Sequence, residues 1–319
     1  MTYITPSALP REVTPMSLDD ATTQFLKLMA EAGGRPMHEM SPEEARGQFG
    51  VLRDLYGKGP EVARVEDVSI SADDGGSFPA RVLTPEGDPR GVIVYYHGGG
   101  WVIGAVDEFD TLGRLLAHRT GCTVVLVGYR LAPEHRYPTA ARDAYAALLW
   151  TAATMPGLPI VVAGDSAGGN LSAVVARRAR DEGGPAIALQ VLVYPVTDCD
   201  LDNASYRDPD NQLMLTRDTM VWFWDHYAPD PAARAHPDAS PLRADDLSGL
   251  PPAVVLTAEH DVLRDEGEAY AERLREAGVP VEFQRFDGQM HGFFTMVNML
   301  PASATALETV ARSVERRLS

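Results

Sequence analysis

Six short apolar runs, separated by stretches with helical spacing, restrict this chain to few architectures. The runs are 92–96, 123–127, 160–163, 188–194, 253–257 and 281–286, and helical patterns fall at about 107–119, 138–153, 167–181, 265–277 and 302–318. A strand that is apolar on both faces must be covered on both faces, and a helix in the connection lets successive strands run parallel. The pattern predicts an open α/β fold with a mostly parallel central sheet flanked by helices.

Two regions stand outside this alternation. In residues 1–60, Ser17 with Asp20 reads as a capping box, followed by Leu18, Ala21, Phe25, Leu28 and Met29 near one face until Gly33-Gly34. Ser41-Pro42-Glu43-Glu44 reads as a second helix start. Two short amphipathic helices are not stable alone, so they need a surface to lie on. Residues 62–70 and 78–83 then read as two strands around the turn at Asp74-Gly75-Gly76. The second region, 199–250, is rich in Asp, Pro and aromatics, with a helix-like stretch at 216–227 that clusters Trp222, Phe223 and Trp224. Long insertions between core strands serve as lids or binding segments, the alternative being a plain surface excursion.

Composition excludes several functions. With 28 basic and 45 acidic residues the formal net charge is −17, and no basic stripe is visible, so nucleic acid and anionic membranes are not expected partners. Cys122 and Cys199 lack CxxC spacing, and no HExxH or other metal-ligand spacing occurs, which argues against a disulfide framework, a zinc site or a metallohydrolase. The N-terminus has no leader pattern and no window reaches the ~20 apolar residues of a membrane span, so the expectation is a cytoplasmic protein.

Four signals follow predicted strands, where the loops of an α/β sheet gather. Gly164-Asp165-Ser166-Ala167-Gly168 lies between a strand and a helix, the setting a G-x-S-x-G nucleophile elbow requires; the alternative is a glycine-rich turn with an incidental serine. His97-Gly98-Gly99-Gly100-Trp101 can turn backbone N–H groups toward an oxyanion. Gly99 and Gly100 are the expected donors with Gly98 as a further candidate, the N–H of Ala167 completes the set, and His97 braces the loop. A phosphate loop is disfavoured because no Gly-Lys-Ser/Thr follows. Asp261 follows the run 253–257, where a carboxylate could orient a histidine, but Glu259, Asp265, Glu266 and especially Asp198 compete. His291 comes after the run 281–286, giving the order Ser166, Asp261, His291.

Taken together, His97 to Trp101, Tyr129-Arg-Leu-Ala-Pro-Glu-His135, Gly164-Asp-Ser-Ala-Gly-Gly169, Asp261-Val-Leu-Arg-Asp-Glu-Gly267 and His291-Gly-Phe293 resemble the hormone-sensitive-lipase-type, or bacterial family IV, carboxylesterases. The likeness spans roughly residues 62–300. It implies the α/β-hydrolase fold with a helical cap: 1–60 as the N-terminal part of the cap, 61–198 as core, 199–250 as cap insertion and 251–319 as core. It favours Asp261 over Asp198, implies a homodimer paired through an edge strand and a helix, and calls for no cofactor or metal. Val262 departs from the proline usual after the acid, which would loosen that loop.

The expected chemistry is ester hydrolysis through an acyl-enzyme, with Ser166 as nucleophile, His291 as base and Asp261 as orienting acid. Trp101, Trp222, Phe223 and Phe293 are expected to wall an apolar pocket for short or medium acyl chains, unless the cap aromatics pack into the cap's own core. An amidase or arylformamidase would use the same triad. A non-catalytic small-molecule receptor on this fold would typically lack a triad member, and here all three are present.

Overall fold

The apolar runs pair into one sheet because each is buried on both faces. The computed structural model describes residues 17–50 and 55–319. Its strands are β1 (Arg64–Ser71), β2 (Ser77–Thr84), β3 (Val92–Tyr96), β4 (Thr123–Val127), β5 (Ile160–Asp165), β6 (Ile187–Val193), β7 (Ala253–His260) and β8 (Val281–Met290). Their order across the sheet is β1-β2-β4-β3-β5-β6-β7-β8. From β4 to β8 all neighbours are parallel, while β2 pairs antiparallel with both β1 and β4. Every residue of β3, β4 and β5 is buried. β1, by contrast, is an edge strand that buries little besides Ile70, and Val65 is exposed.

Helices cover both faces. On one, Leu112 and Leu116 of α3 (Asp110–Thr120) and Val310 and Val314 of α8 (Pro301–Leu318) pack with Ile93, Tyr95 and Val161. On the other, α4 (Thr139–Thr154) and α5 (Ala167–Asp181) set Leu148, Leu171 and Val174 against Val92, Val94 and Val162. α7 (Arg264–Glu276) adds Tyr270 and Leu274 against Val255.

Helices α1 (Asp20–Ala32) and α2 (Pro42–Gly50) and helix α6 (Arg217–Tyr227) of the insertion gather at the C-terminal ends of the parallel strands. The capping box at Ser41 is formed: Glu44 N–H donates to Ser41 Oγ at 3.2 Å, and Ser41 N–H donates to Glu44 Oε2 at 2.8 Å. The cap of α1 is not Ser17. Asp19 takes that position, its Oδ1 accepting the Thr22 N–H at 2.6 Å, while its Oδ2 accepts from Gln289 Nε2 at 2.6 Å. A contact with β8 therefore sets where this helix begins. Of the apolar face read for it, Phe25 is buried and Leu28 is exposed. The start of the proposed N-terminal cap part, residues 1–16, and residues 51–54 lie outside the described residues. No helix among the described residues is long and apolar enough to cross a membrane.

Arg46 fastens α2 to the core. Its guanidinium donates to the carbonyls of Val102 and Ala132, each at 2.8 Å, and makes a two-pronged contact with Glu134 at 2.9 and 2.7 Å. That contact pulls the Glu134 carboxyl from its ordinary 4.5 down to about 2. A carboxylate with a depressed folded value adds stability above its unfolded value and loses it as pH falls toward the folded one. Glu134→Gln should therefore lower Tm at pH 7, with the gap from wild type shrinking as pH drops below about 4.5. Arg46→Ala should cost about 1–3 kcal/mol in urea unfolding at pH 7, because two buried carbonyls lose a charged donor. A gap for Glu134→Gln that stays constant from pH 7 to pH 3 would contradict the assignment.

Candidate active site

β5 ends at Asp165 and α5 begins at Ala167, leaving Ser166 alone in the turn between them at φ 55° and ψ −117°. Positive φ is uncommon in residues other than glycine and costs on the order of 1–3 kcal/mol, so the surroundings must hold it. Ser166 N–H donates to the Val193 carbonyl at 2.9 Å, while the Ser166 carbonyl accepts from Asn170 N–H at 3.0 Å and Val196 N–H at 3.2 Å. A Cβ on Gly168 would sit 1.8 Å from the Tyr96 carbonyl oxygen, and one on Gly164 would sit 2.3 Å from the backbone of Gly168. The glycines that flank the serine are thus demanded by close backbone approach, which sets α5 against the end of β3.

The loops after β7 and β8 bring Asp261 and His291 to this turn. His291 Nδ1–H donates to Asp261 Oδ2 at 2.7 Å, since a carboxylate can only accept, and His291 Nε2 lies 3.1 Å from Ser166 Oγ. Asp261 is fully buried, and its other oxygen accepts the Leu263 N–H at 2.9 Å. The competing acids are engaged elsewhere. Asp198 accepts from Arg243 and from the Cys199 N–H, Glu259 accepts from Gly288 N–H, Asp265 from Ser205 N–H, and Glu266 from the N–H groups of Thr197 and Asp198. Val262 is fully buried, and its carbonyl accepts from Ser205 Oγ at 2.6 Å. The Asp261 loop is thereby tied to the insertion in spite of the missing proline.

The glycine loop after β3 is organised one peptide at a time. Tyr129 Oη donates to the His97 carbonyl at 2.8 Å, and on the far side of the same peptide the Gly98 N–H donates to Asp165 Oδ1 at 3.0 Å. His97 Nδ1–H donates to the Gly98 carbonyl at 2.7 Å, and the Gly99 carbonyl accepts from Val102 and Ile103 N–H at 3.0 and 2.9 Å. In a trans peptide N–H and C=O point in opposite directions, so anchoring these carbonyls turns the N–H groups of Gly99 and Gly100 the other way. Among the described residues nothing accepts from Gly99, Gly100 or Ala167 N–H, the last being an orphan donor at the start of α5. Gly98 is the correction to the expected donor set, because its N–H is already taken by Asp165.

Burial determines the charge of the loop's two ionisable neighbours. His97 is stacked between Phe109 and Tyr129, with ring centroids 5.2 and 4.3 Å away, and desolvation lowers it to about 4, leaving it neutral at pH 7. Asp165 is pushed up to about 6, mainly by burial, against the opposing influence of the Tyr95 hydroxyl, the His291 charge and the Gly98 N–H.

Beside Ser166 and His291 lies a cavity of about 180 Å³ whose walls come from α1, α2, α6 and the strand-end loops. Phe223 lines it, and its ring covers Gly100 so closely that a Cβ there would lie 2.2 Å away. The other three aromatic residues expected in the wall are elsewhere. Trp101, at φ 61°, is fully buried and stacks on Tyr227 at 4.2 Å with Trp224 alongside. Trp222 is part-buried against Phe223 and His226, and Phe293 is fully buried between Tyr194 and Phe286. The insertion's aromatics thus divide, Trp224 joining the packed core and Phe223 facing the cavity. Their place in the wall is taken by Met29, Met37, Met40, Met214 and Met296, which sequence reading missed; Met37 and Met40 sit close together, but no periodicity marks the five as a set.

Comparison with known proteins agrees with this geometry. A family model described as the α/β hydrolase fold matches residues 93–295. Carboxylesterase NlhH of Mycobacterium tuberculosis is 43% identical over 269 residues, covering 81% of this chain and 84% of the relative. Ethyl acetate hydrolase of Pseudomonas putida is 37% identical over 319 residues, covering 95% of this chain and 100% of that protein. The crystal structure of a thermostable esterase from Pseudomonas putida ECU1011 matches with a TM-score of 0.89 at 37% identity, over 98% of this chain and 99% of that one. With its elbow, glycine loop and parallel sheet in this arrangement, the chain belongs to the α/β-hydrolase family and, within it, to the hormone-sensitive-lipase-like carboxylesterases.

Proposed function

We propose that the chain hydrolyses esters of short to medium acyl chains, with Ser166 as nucleophile, His291 as general base and then acid, and Asp261 as the group that orients the imidazole. The observation that carries this reading is the unbroken hydrogen-bonded chain from Asp261 through His291 to Ser166, open to a cavity beside three undirected N–H donors. Ser166 Oγ attacks the ester carbonyl as His291 Nε2 takes its proton, and the N–H groups of Gly99, Gly100 and Ala167 bind the developing oxyanion. The tetrahedral intermediate collapses, the alcohol leaves with the proton from His291, and the acyl group stays on Ser166. Water, deprotonated by the same imidazole, then releases the acid.

The apolar cavity sets the acyl limit. An apolar cavity of 150 Å³ in another protein holds one benzene ring, so about 180 Å³ accommodates an acyl group of about six carbons or a phenyl group. The flexible methionine walls let the site adapt to shape while still limiting size. The name of the Pseudomonas putida relative, ethyl acetate hydrolase, points to the short end of that range. In this reading α1, α2 and the 199–250 segment act together as the cap.

Ser166→Ala and His291→Ala should each lower kcat by about 10⁴–10⁶ on a p-nitrophenyl ester while the melting temperature stays near wild type. Asp261→Asn should lower it by about 10⁴, whereas Asp198→Asn should leave it within severalfold. Near-wild-type turnover in Ser166→Ala, or loss in Asp198→Asn alone, would overturn the assignment. Across a p-nitrophenyl series, kcat/KM should peak at about four to six acyl carbons and fall at least tenfold by about ten. Phe223→Ala should move the peak to longer chains. A wild-type maximum at ten carbons or beyond contradicts the size limit, and an anilide turned over faster than the matched ester would favour the amidase reading.

A further inference from the structure

The elbow motif contains one acid that the proposed mechanism does not use. Asp165 precedes the nucleophile, is 5% exposed, and accepts two hydrogen bonds on Oδ1: from Tyr95 Oη at 2.7 Å and from Gly98 N–H at 3.0 Å. Its Oδ2 leaves no room at the loop, since a Cβ on Gly98 would lie 2.3 Å from it. It is the direct side-chain link between the strand that carries Ser166 and the loop that carries Gly99 and Gly100. The other anchors of that loop, His97 and Tyr129, hold it from within or from the side of β4 and do not connect it to the elbow.

We propose that the Asp165 carboxylate is a positioning residue: by gripping the Gly98 N–H it fixes the oxyanion donors relative to Ser166 Oγ, and protonating it loosens that grip and weakens transition-state binding. The inference rests on Ser166 being the nucleophile. The titratable groups that face Asp165 are Tyr95 from β3, Tyr129 after β4, Tyr194 after β6, Tyr56, and His291 after β8. Burial raises all four phenols, so they stay neutral over the range in which Asp165 changes charge. An ionised carboxylate accepts the Gly98 N–H more strongly than a neutral acid or amide does. The grip is therefore strong above about pH 6 and weak below it.

The test compares kcat and KM of wild type and Asp165→Asn on p-nitrophenyl butyrate from pH 5 to pH 9, together with inhibition by a trifluoromethyl ketone, which forms an oxyanion on the enzyme. Asp165→Asn should lower kcat about tenfold at pH 8, change KM by less than about threefold, and weaken the ketone by about the same factor as kcat. The ratio of wild type to variant should shrink toward one as pH falls to 5, where wild type also carries a neutral group. A ratio near one at pH 8, a ratio constant across the range, or a loss confined to KM overturns the proposal. Tyr95→Phe removes a donor that favours the ionised form and should move the fall in wild-type activity to higher pH; an unchanged profile overturns it as well, even if Asp165→Asn fails to fold. Ser166→Ala run alongside separates the two failures, because its activity tests the nucleophile and the Asp165 profile tests the positioning.

Discussion

Everything at this site depends on one backbone approach. Position 168 admits no side chain, because a Cβ there would lie 1.8 Å from the Tyr96 carbonyl oxygen. The start of α5 is thereby set against the end of β3, and Ser166 is confined to a positive-φ turn that α5, Val193 and Val196 hold in place. The cost of that strain is met by long-range packing, as expected of strain stored at a functional turn. The same approach places the first free N–H of α5, that of Ala167, next to the glycine loop that β3 delivers.

Electrostatics then divides the buried acids by what they hold. Asp261 grips an imidazole and a backbone N–H, Asp165 a phenol and a backbone N–H, and Glu266 two backbone N–H groups. Three carboxyls sit behind one site, yet each has donors of its own, which offset part of the desolvation penalty of burial, although both donors to Glu266 fall on Oε1 and its Oε2 has no hydrogen-bond partner among the described residues. The overall charge of −17 is a separate matter. Most of it belongs to the surface, where Arg46, Arg81 and Arg130 pair with the exposed acids Glu134, Asp67 and Asp74.

Much of this was legible in the residues. The runs at 92–96 and 123–127 coincide with β3 and β4, because strands apolar on both faces leave an unambiguous mark. β5 and β8 extend past their apolar runs, to Asp165 and Met290, since polar and glycine residues at a strand's C-terminal end can pair while the periodic signal has stopped. The start of α1 was not readable locally. Ser17, Asp19 and Asp20 are all good capping residues, and the choice fell to Asp19 because its second oxygen reaches Gln289 across the fold. Ring direction was likewise hidden: Trp101 follows the glycine loop in sequence, but its positive φ turns it into the Trp224 and Tyr227 stack. The role of Gly98 depended on a partner 67 residues away, which no local spacing reveals.

The most direct test is to catch the covalent intermediate. Wild-type protein mixed with p-nitrophenyl butyrate, quenched in acid within the first turnovers, digested and analysed by mass spectrometry, should carry one butyryl group on the peptide that contains Ser166. The fraction labelled should rise in Asp261→Asn if water attack on the acyl group is slowed more than its formation. A butyryl group on any other residue, or full ester turnover with no acylated peptide at any quench time, would contradict the mechanism.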